Sequence, residues 1–136
     1  MSGIVAVEGL QFEIYEEGTL NSSGVVTVSS SCVPCSKVTI KGKKIYAGSL
    51  LVEVKGFSSM LISNWVPYSG MTTTPASIVS TVQKSSTLEG KFFLVGDQTL
   101  PVVIQGQMTT PTGPVTTTTL VVIKIKTSPQ NVVNAT

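Results

Sequence analysis

Short apolar runs separated by glycine, proline and serine-threonine clusters set the pattern of this chain. Val5 to Tyr15, broken at Gly9, then Val25 to Val28, Leu51 to Val54, Leu100 to Met108 and Thr117 to Lys126 all read as strands. In the last of these, Leu120 and Val122 face one way and Val121, Ile123 and Ile125 the other, so both faces are expected to be covered. No window longer than about ten residues has the i, i+3, i+4 apolar spacing of an amphipathic helix. Turns are expected at Gly18 to Gly24, at Ser29 to Ser36, over Pro67 to Pro75 and over Thr109 to Thr116. The tail after Ser128-Pro129 reads as polar.

One segment occurs twice. Val38-Thr39-Ile40-Lys41-Gly42-Lys43-Lys44-Ile45-Tyr46-Ala47-Gly48 is echoed by Ser86-Thr87-Leu88-Glu89-Gly90-Lys91-Phe92-Phe93-Leu94-Val95-Gly96. Each copy carries a Gly-Lys pair and a closing glycine, and each is followed by an apolar strand. The repeats span residues 38–56 and 86–106, and a weaker third copy lies near residues 5–18, opening on Val5-Ala6-Val7-Glu8-Gly9. Aligning the glycines puts Gly42 with Gly90 at equivalent hairpin turns and Gly48 with Gly96 at equivalent ends. The expected architecture is one all-β domain over residues 1–136, in which repeated β-hairpins form a small cone or a sandwich-like unit.

Composition sharpens this reading. Ser and Thr make up about a quarter of the chain, and charged residues only 12% against the usual share of roughly 25%. β-Branched residues lose χ1 freedom in helices and suit pleated sheets. The nine cations are all lysine, and histidine is absent. The chain therefore lacks the commonest general base and the bidentate fork that reads phosphate or carboxylate. A net charge of +2 without a basic stripe argues against nucleic-acid binding. The start, Met1-Ser2-Gly3-Ile4-Val5, has no basic segment, and the longest apolar stretch, Leu120 to Ile125, falls far short of the roughly 20 residues that span a bilayer. Folding in the cytoplasm is expected.

Candidate chemistry is sparse. Cys32 and Cys35 are the weak candidates for a metal site, but the chain supplies no other thiol and no imidazole to complete a zinc set. Two small apolar side chains on a tight turn, kept reduced, are the simpler reading. Glu8, Glu13, Glu16 and Glu17 read as a solvated strand edge whose charges prevent sheet-to-sheet pairing. Serines and threonines have no base to activate them. No cofactor and no enzymatic activity are expected.

The repeated Gly-Lys hairpins, the opening Val7-Glu8-Gly9 and the loop Thr110-Pro111-Thr112-Gly113-Pro114 give the chain its likeness to a known family. It resembles the PAAR-like tip proteins of phage-tail-like contractile injection systems. That resemblance implies a β cone sitting as a single copy on the trimeric β-helical spike of a baseplate and touching the target membrane transiently. It implies assembly in the cytoplasm, then delivery outside the cell or into the target. The family's Pro-Ala-Ala-Arg motif survives only as Pro75-Ala76-Ser77, and the histidines of its metal-holding point are absent. The point is then held by packing and hydrogen bonds alone. The apolar strands that end the two repeats, with Leu51, Val52 and Val54 in one and Val102, Val103 and Ile104 in the other, are the expected spike-docking base. Rival expectations are a phage tail or capsid decoration module, an adhesin-like β-sandwich, and a ligand-binding barrel with Trp65 and Tyr68 at its mouth. For those aromatics the simpler reading is a hydrophobic plug beneath the Pro67 loop.

Overall fold

A computed structural model describes residues 3–21, 23–29, 35–40, 42–67, 76–82, 86–87, 90–129 and 134–135. Among them every regular element is a strand and every pairing is antiparallel. The chain makes three passes of similar plan. The first holds β1 (Gly3–Ile4), β2 (Gln11–Glu16), β3 (Thr19–Asn21) and β4 (Val25–Val28). The second holds β5 (Cys35–Ile40), β6 (Lys43–Ile45), β7 (Leu51–Lys55), β8 (Trp65–Pro67) and β9 (Ala76–Val79). The third holds β10 (Ser86–Thr87), β11 (Gly90–Lys91), β12 (Gln98–Thr99), β13 (Val102–Thr110) and β14 (Gly113–Thr127), and the path closes on β15 (Asn134–Ala135).

Three short segments, one from each pass, meet in a cycle. Val7 bridges Ile45, Ala47 bridges Phe92, and Leu94 bridges Val5. Each segment thus uses its second bridging residue on the next pass and its first on the previous one. The backbone bonds follow the same cycle: Glu8 N–H donates to Lys44 C=O at 2.9 Å, Gly48 N–H to Lys91 C=O at 3.0 Å, and Val95 N–H to Ile4 C=O at 2.8 Å. Because side chains alternate along a strand, the middle residues Ala6, Tyr46 and Phe93 enter the main core. The flanking Val5, Val7, Ile45, Ala47 and Leu94 form a second core with Val82.

Each side of this triangle is entered through a two-stranded ribbon. β5 pairs β6, β10 pairs β11, and β1 pairs β15. Asn134–Ala135 therefore does for the first pass what Thr39–Ile40 and Ser86–Thr87 do for the other two. Within the polar tail, Asn134–Ala135 is thus a strand.

Gln11, Leu51 and Gln98 each stand four residues after the second bridging residue of their triangle side, Val7, Ala47 and Leu94. From these points an outgoing strand leaves and a return strand comes back. Within passes, β2 pairs β3, β7 pairs β9, and β13 pairs β14. Between passes, β4 pairs β7, β9 pairs β12, and β14 pairs β2. The result is a nine-stranded sheet in the order β3-β2-β14-β12-β9-β7-β4, with β13 and β8 branching from β14. Its ends, β3 and β4, are consecutive in the chain, so the sheet wraps nearly once around the core without closing as a barrel. Ile14, Leu50, Val52, Ile78, Ile104, Val121, Ile123 and Ile125 fill the interior.

The register differs from the glycine alignment by one residue. Ile40 pairs Lys43, with Gly42 in the turn just before Lys43, while Thr87 pairs Gly90 itself. Gly42 is therefore a turn residue, and Gly90 is the first residue of the following strand. The bridges make Ile45 equivalent to Phe92, so Gly48 matches Val95 rather than Gly96. Burial rather than glycine spacing fixes the match, because the bulky residues must enter the second core.

Candidate interaction surfaces

The triangle and its ribbons define one end of the molecule, and the outgoing strands lead to the other. The ribbon end carries exposed Lys43, Lys44 and Lys91, and Glu8 accepts the Lys44 N–H at 3.0 Å. The far end is built from the turn after β2, from residues 56–67 and from the long β13–β14 hairpin. Between Lys55 and Lys84, and again between Asp97 and Lys124, the sequence holds no charged residue. Apart from Glu17 and Lys55, where β2 and β7 end, this surface is uncharged. It is also where Met60, Leu61, Val66, Val103, Val115 and Leu120 are exposed.

The three passes are tied together at this end by one carboxylate. Glu16 is 1% exposed. It accepts from Asn21 Nδ2 at 3.0 Å in its own pass, and from Met60 N–H at 2.9 Å and the Ser59 hydroxyl in the second. Thr119 Oγ1 donates at 2.8 Å from the third. Burial alone pushes the Glu16 carboxyl up, but the bonds from Ser59, Met60, Thr119 and Asn21 outweigh it and hold the group below the usual carboxylate range. The expectation of a solvated acidic edge fails at this residue. β2 lies between β14 and β3, and alternation puts Glu16 on the same inner face as Ile14.

The expected docking base is corrected by the same alternation. Val52, Val54 and Ile104 are 0%, 6% and 6% exposed and belong to the main core, against which Leu51 and Val102 pack half-buried. Only Val103, 57% exposed, faces outward. The two segments also occupy different places, since β7 runs between β4 and β9 while β13 runs between β14 and β8. Both strands are covered on one face, so their inner residues are unavailable to a partner.

The glycines have separate tasks. Gly42, at φ 78°, has open space around its α-carbon, as does Gly96 at φ 99°. Gly90, at φ 129°, lies so close to the backbone of Gly48 that a Cβ would stand 2.6 Å from the Gly48 α-carbon. Gly106 makes room for Trp65, whose indole occupies the place a Cβ would take. Trp65 is a core plug, edge-on to Phe57 at 5.7 Å, rather than the lining of a mouth; Tyr68 lies outside the described residues. Opposite Gly106 stands Thr117, and Trp65 Nε1 and Thr117 Oγ1 are buried without hydrogen-bond partners among the described residues.

Cys32 lies outside the described residues, and for Cys35 the structure gives only its backbone pairing with Ile45. Among the described residues no group of three or more His, Cys, Asp or Glu side chains is placed to hold a metal. No helix there is long and apolar enough to cross a membrane. Glu16 was legible only as part of an acidic run; its alternation with Ile14 was the signal that separated it from Glu13 and Glu17. Comparison with family models, with curated proteins and with solved structures finds no match.

Proposed function

We propose that this chain is a non-enzymatic tip that caps the trimeric spike of a contractile injection particle and helps it puncture a target membrane. The observation that carries this reading is the cycle of Val7–Ile45, Ala47–Phe92 and Leu94–Val5 bridges, repeated in the cyclic pairing of outgoing and return strands. One polypeptide with three near-equivalent passes offers similar surfaces in three directions about a common centre. A partner with three identical chains is met economically by such a monomer, whereas an irregular chain would need three unrelated contacts.

The division of charge agrees with this placement. An uncharged end with exposed apolar side chains suits burial against a protein partner, at about 25 cal/mol per Å² of apolar surface before association costs are subtracted. The ribbon end, with its lysines, is then left free to lead. Mixing the purified chain with the spike trimer of the same particle and measuring the mass in solution tests the reading. One chain per trimer is the expected result. Three per trimer, or no complex, would favour a decoration or adhesin-like module instead.

A further inference from the structure

We propose that the free edge of β14 at residues 114–120 is a strand-addition site, filled by one extended strand from one chain of the spike. This rests on the tip reading above. β14 is 15 residues long, and its two edges are unequally used. One edge pairs β13 from Gly113 to Val121. The other pairs β2 only from Val121 onward, and its last bond from the first pass is Glu17 N–H to Leu120 C=O at 3.1 Å. Beyond that point no described strand lies against it.

Antiparallel pairing points the backbone groups of successive residues to opposite edges. Since Leu120 faces the free edge, so do Thr118, Thr116 and Pro114. Pro114 has no N–H. The edge therefore offers the N–H groups of Thr116 and Thr118 and the carbonyls of Pro114, Thr116 and Thr118, all on exposed residues. Glu17 bounds this slot on one side and Pro114 on the other, leaving about five residues, or about 17 Å of strand. Exposed edges are ordinarily blunted by charge, and from Gln98 to Ile123 there is none.

Unpaired backbone groups select their occupant. A bilayer cannot satisfy them, and an extended peptide can, by adding one more strand. Such a strand would continue the line of β2 past Glu17, entering from the far end, where the spike is placed by the tip reading. Among the described residues the slot occurs once, because the outgoing strands of the first two passes have only six and five residues against nine for β13. The added strand therefore comes from one of the three chains that the tip meets, which fixes the rotation of the tip on the spike.

Amide hydrogen exchange on the chain alone and mixed with the purified spike trimer tests this. In the complex, exchange at Thr116 and Thr118 should slow at least tenfold, while Val115 and Thr117, whose N–H groups face β13, should not change. Thr118→Pro removes a donor that has no partner among the described residues and should weaken binding at least tenfold; Thr118→Ala should not. A complex with unprotected Thr116 and Thr118 overturns the edge site and leaves the tip reading standing. No complex with wild-type protein overturns both. Self-association that protects the same two amides makes a second copy the occupant and overturns the proposal.

Discussion

Replacing Gly90 with alanine and, separately, Gly42 with alanine separates the structural register from the one the glycines suggest. At Gly42, φ is 78° and the space is open, so alanine meets only backbone strain. A left-handed conformation costs an L-residue about 1–2 kcal/mol, partly offset by about 0.4–1 kcal/mol from the less flexible unfolded chain. The net loss is about 1 kcal/mol. At Gly90, φ of 129° adds strain of about 1–3 kcal/mol. There the new methyl also meets the Gly48 α-carbon at 2.6 Å and its nitrogen at 3.1 Å. Those are backbone atoms bound into the triangle, and overpacking of this kind costs about 1–3 kcal/mol more. Gly90→Ala should therefore lose about 3–4 kcal/mol, with a fall in Tm of roughly 10 °C against roughly 3 °C for Gly42→Ala. Urea unfolding followed by the fluorescence of Trp65 at the opposite end reads the loss for the whole domain. Equal losses in the two variants would refute the one-residue offset and restore Gly42 and Gly90 as equivalent turns.

Other expectations follow from the same contacts. Because the Glu16 carboxyl is held below its unfolded value, its contribution is present above about pH 4.5 and is lost as pH falls through the lower folded value. Glu16→Gln should lose about 2 kcal/mol or more at pH 7, where its amide faces the Ser59 and Thr119 donors, and should flatten the acid limb of stability measured by urea unfolding from pH 7 to 3. Gly106→Ala drives a methyl into the Trp65 ring and should cost at least 2 kcal/mol while shifting the tryptophan emission to the red; an unchanged spectrum would show that the indole does not sit there. Val52→Glu should prevent folding, whereas Val103→Glu should change stability by less than about 0.5 kcal/mol, as circular-dichroism melts would report.

Strand character was legible because alternation is a local signal. What escaped the sequence was register and sidedness. Aligning Gly42 with Gly90 matched identical letters, but the chain is positioned by Ile45, Phe92 and Val5 entering one core, and a glycine shifted by one residue is tolerated on an exposed turn. Leu51 to Val54 and Val102 to Ile104 showed alternation without saying which face would be covered, since that depends on strands distant in sequence. The Asn134–Ala135 strand carries no apolar signal. Its partner, Gly3–Ile4, lies at the opposite end of the sequence, so no local pattern announces it. Glu16 looked like its neighbours Glu13 and Glu17 until β14 and the 58–62 segment were seen to surround it.

The triangle also sets a timetable. Its sides come from residues 5–7, 45–47 and 92–94, and its first ribbon joins residues 3–4 to residues 134–135. β2 likewise finds its main neighbour, β14, more than a hundred positions along the chain, with Ile14 opposite Ile123. While the ribosome is still adding the third pass, β4 can pair β7 and Val7 can meet Ile45, but β2 has only β3 beside it. The long edge of β2 must then wait for the third pass, and loop closure of that length precedes the reward from that contact. Folding should be slow, and in the interval the chain, with only 12% charged residues, is exposed to aggregation unless a chaperone holds it.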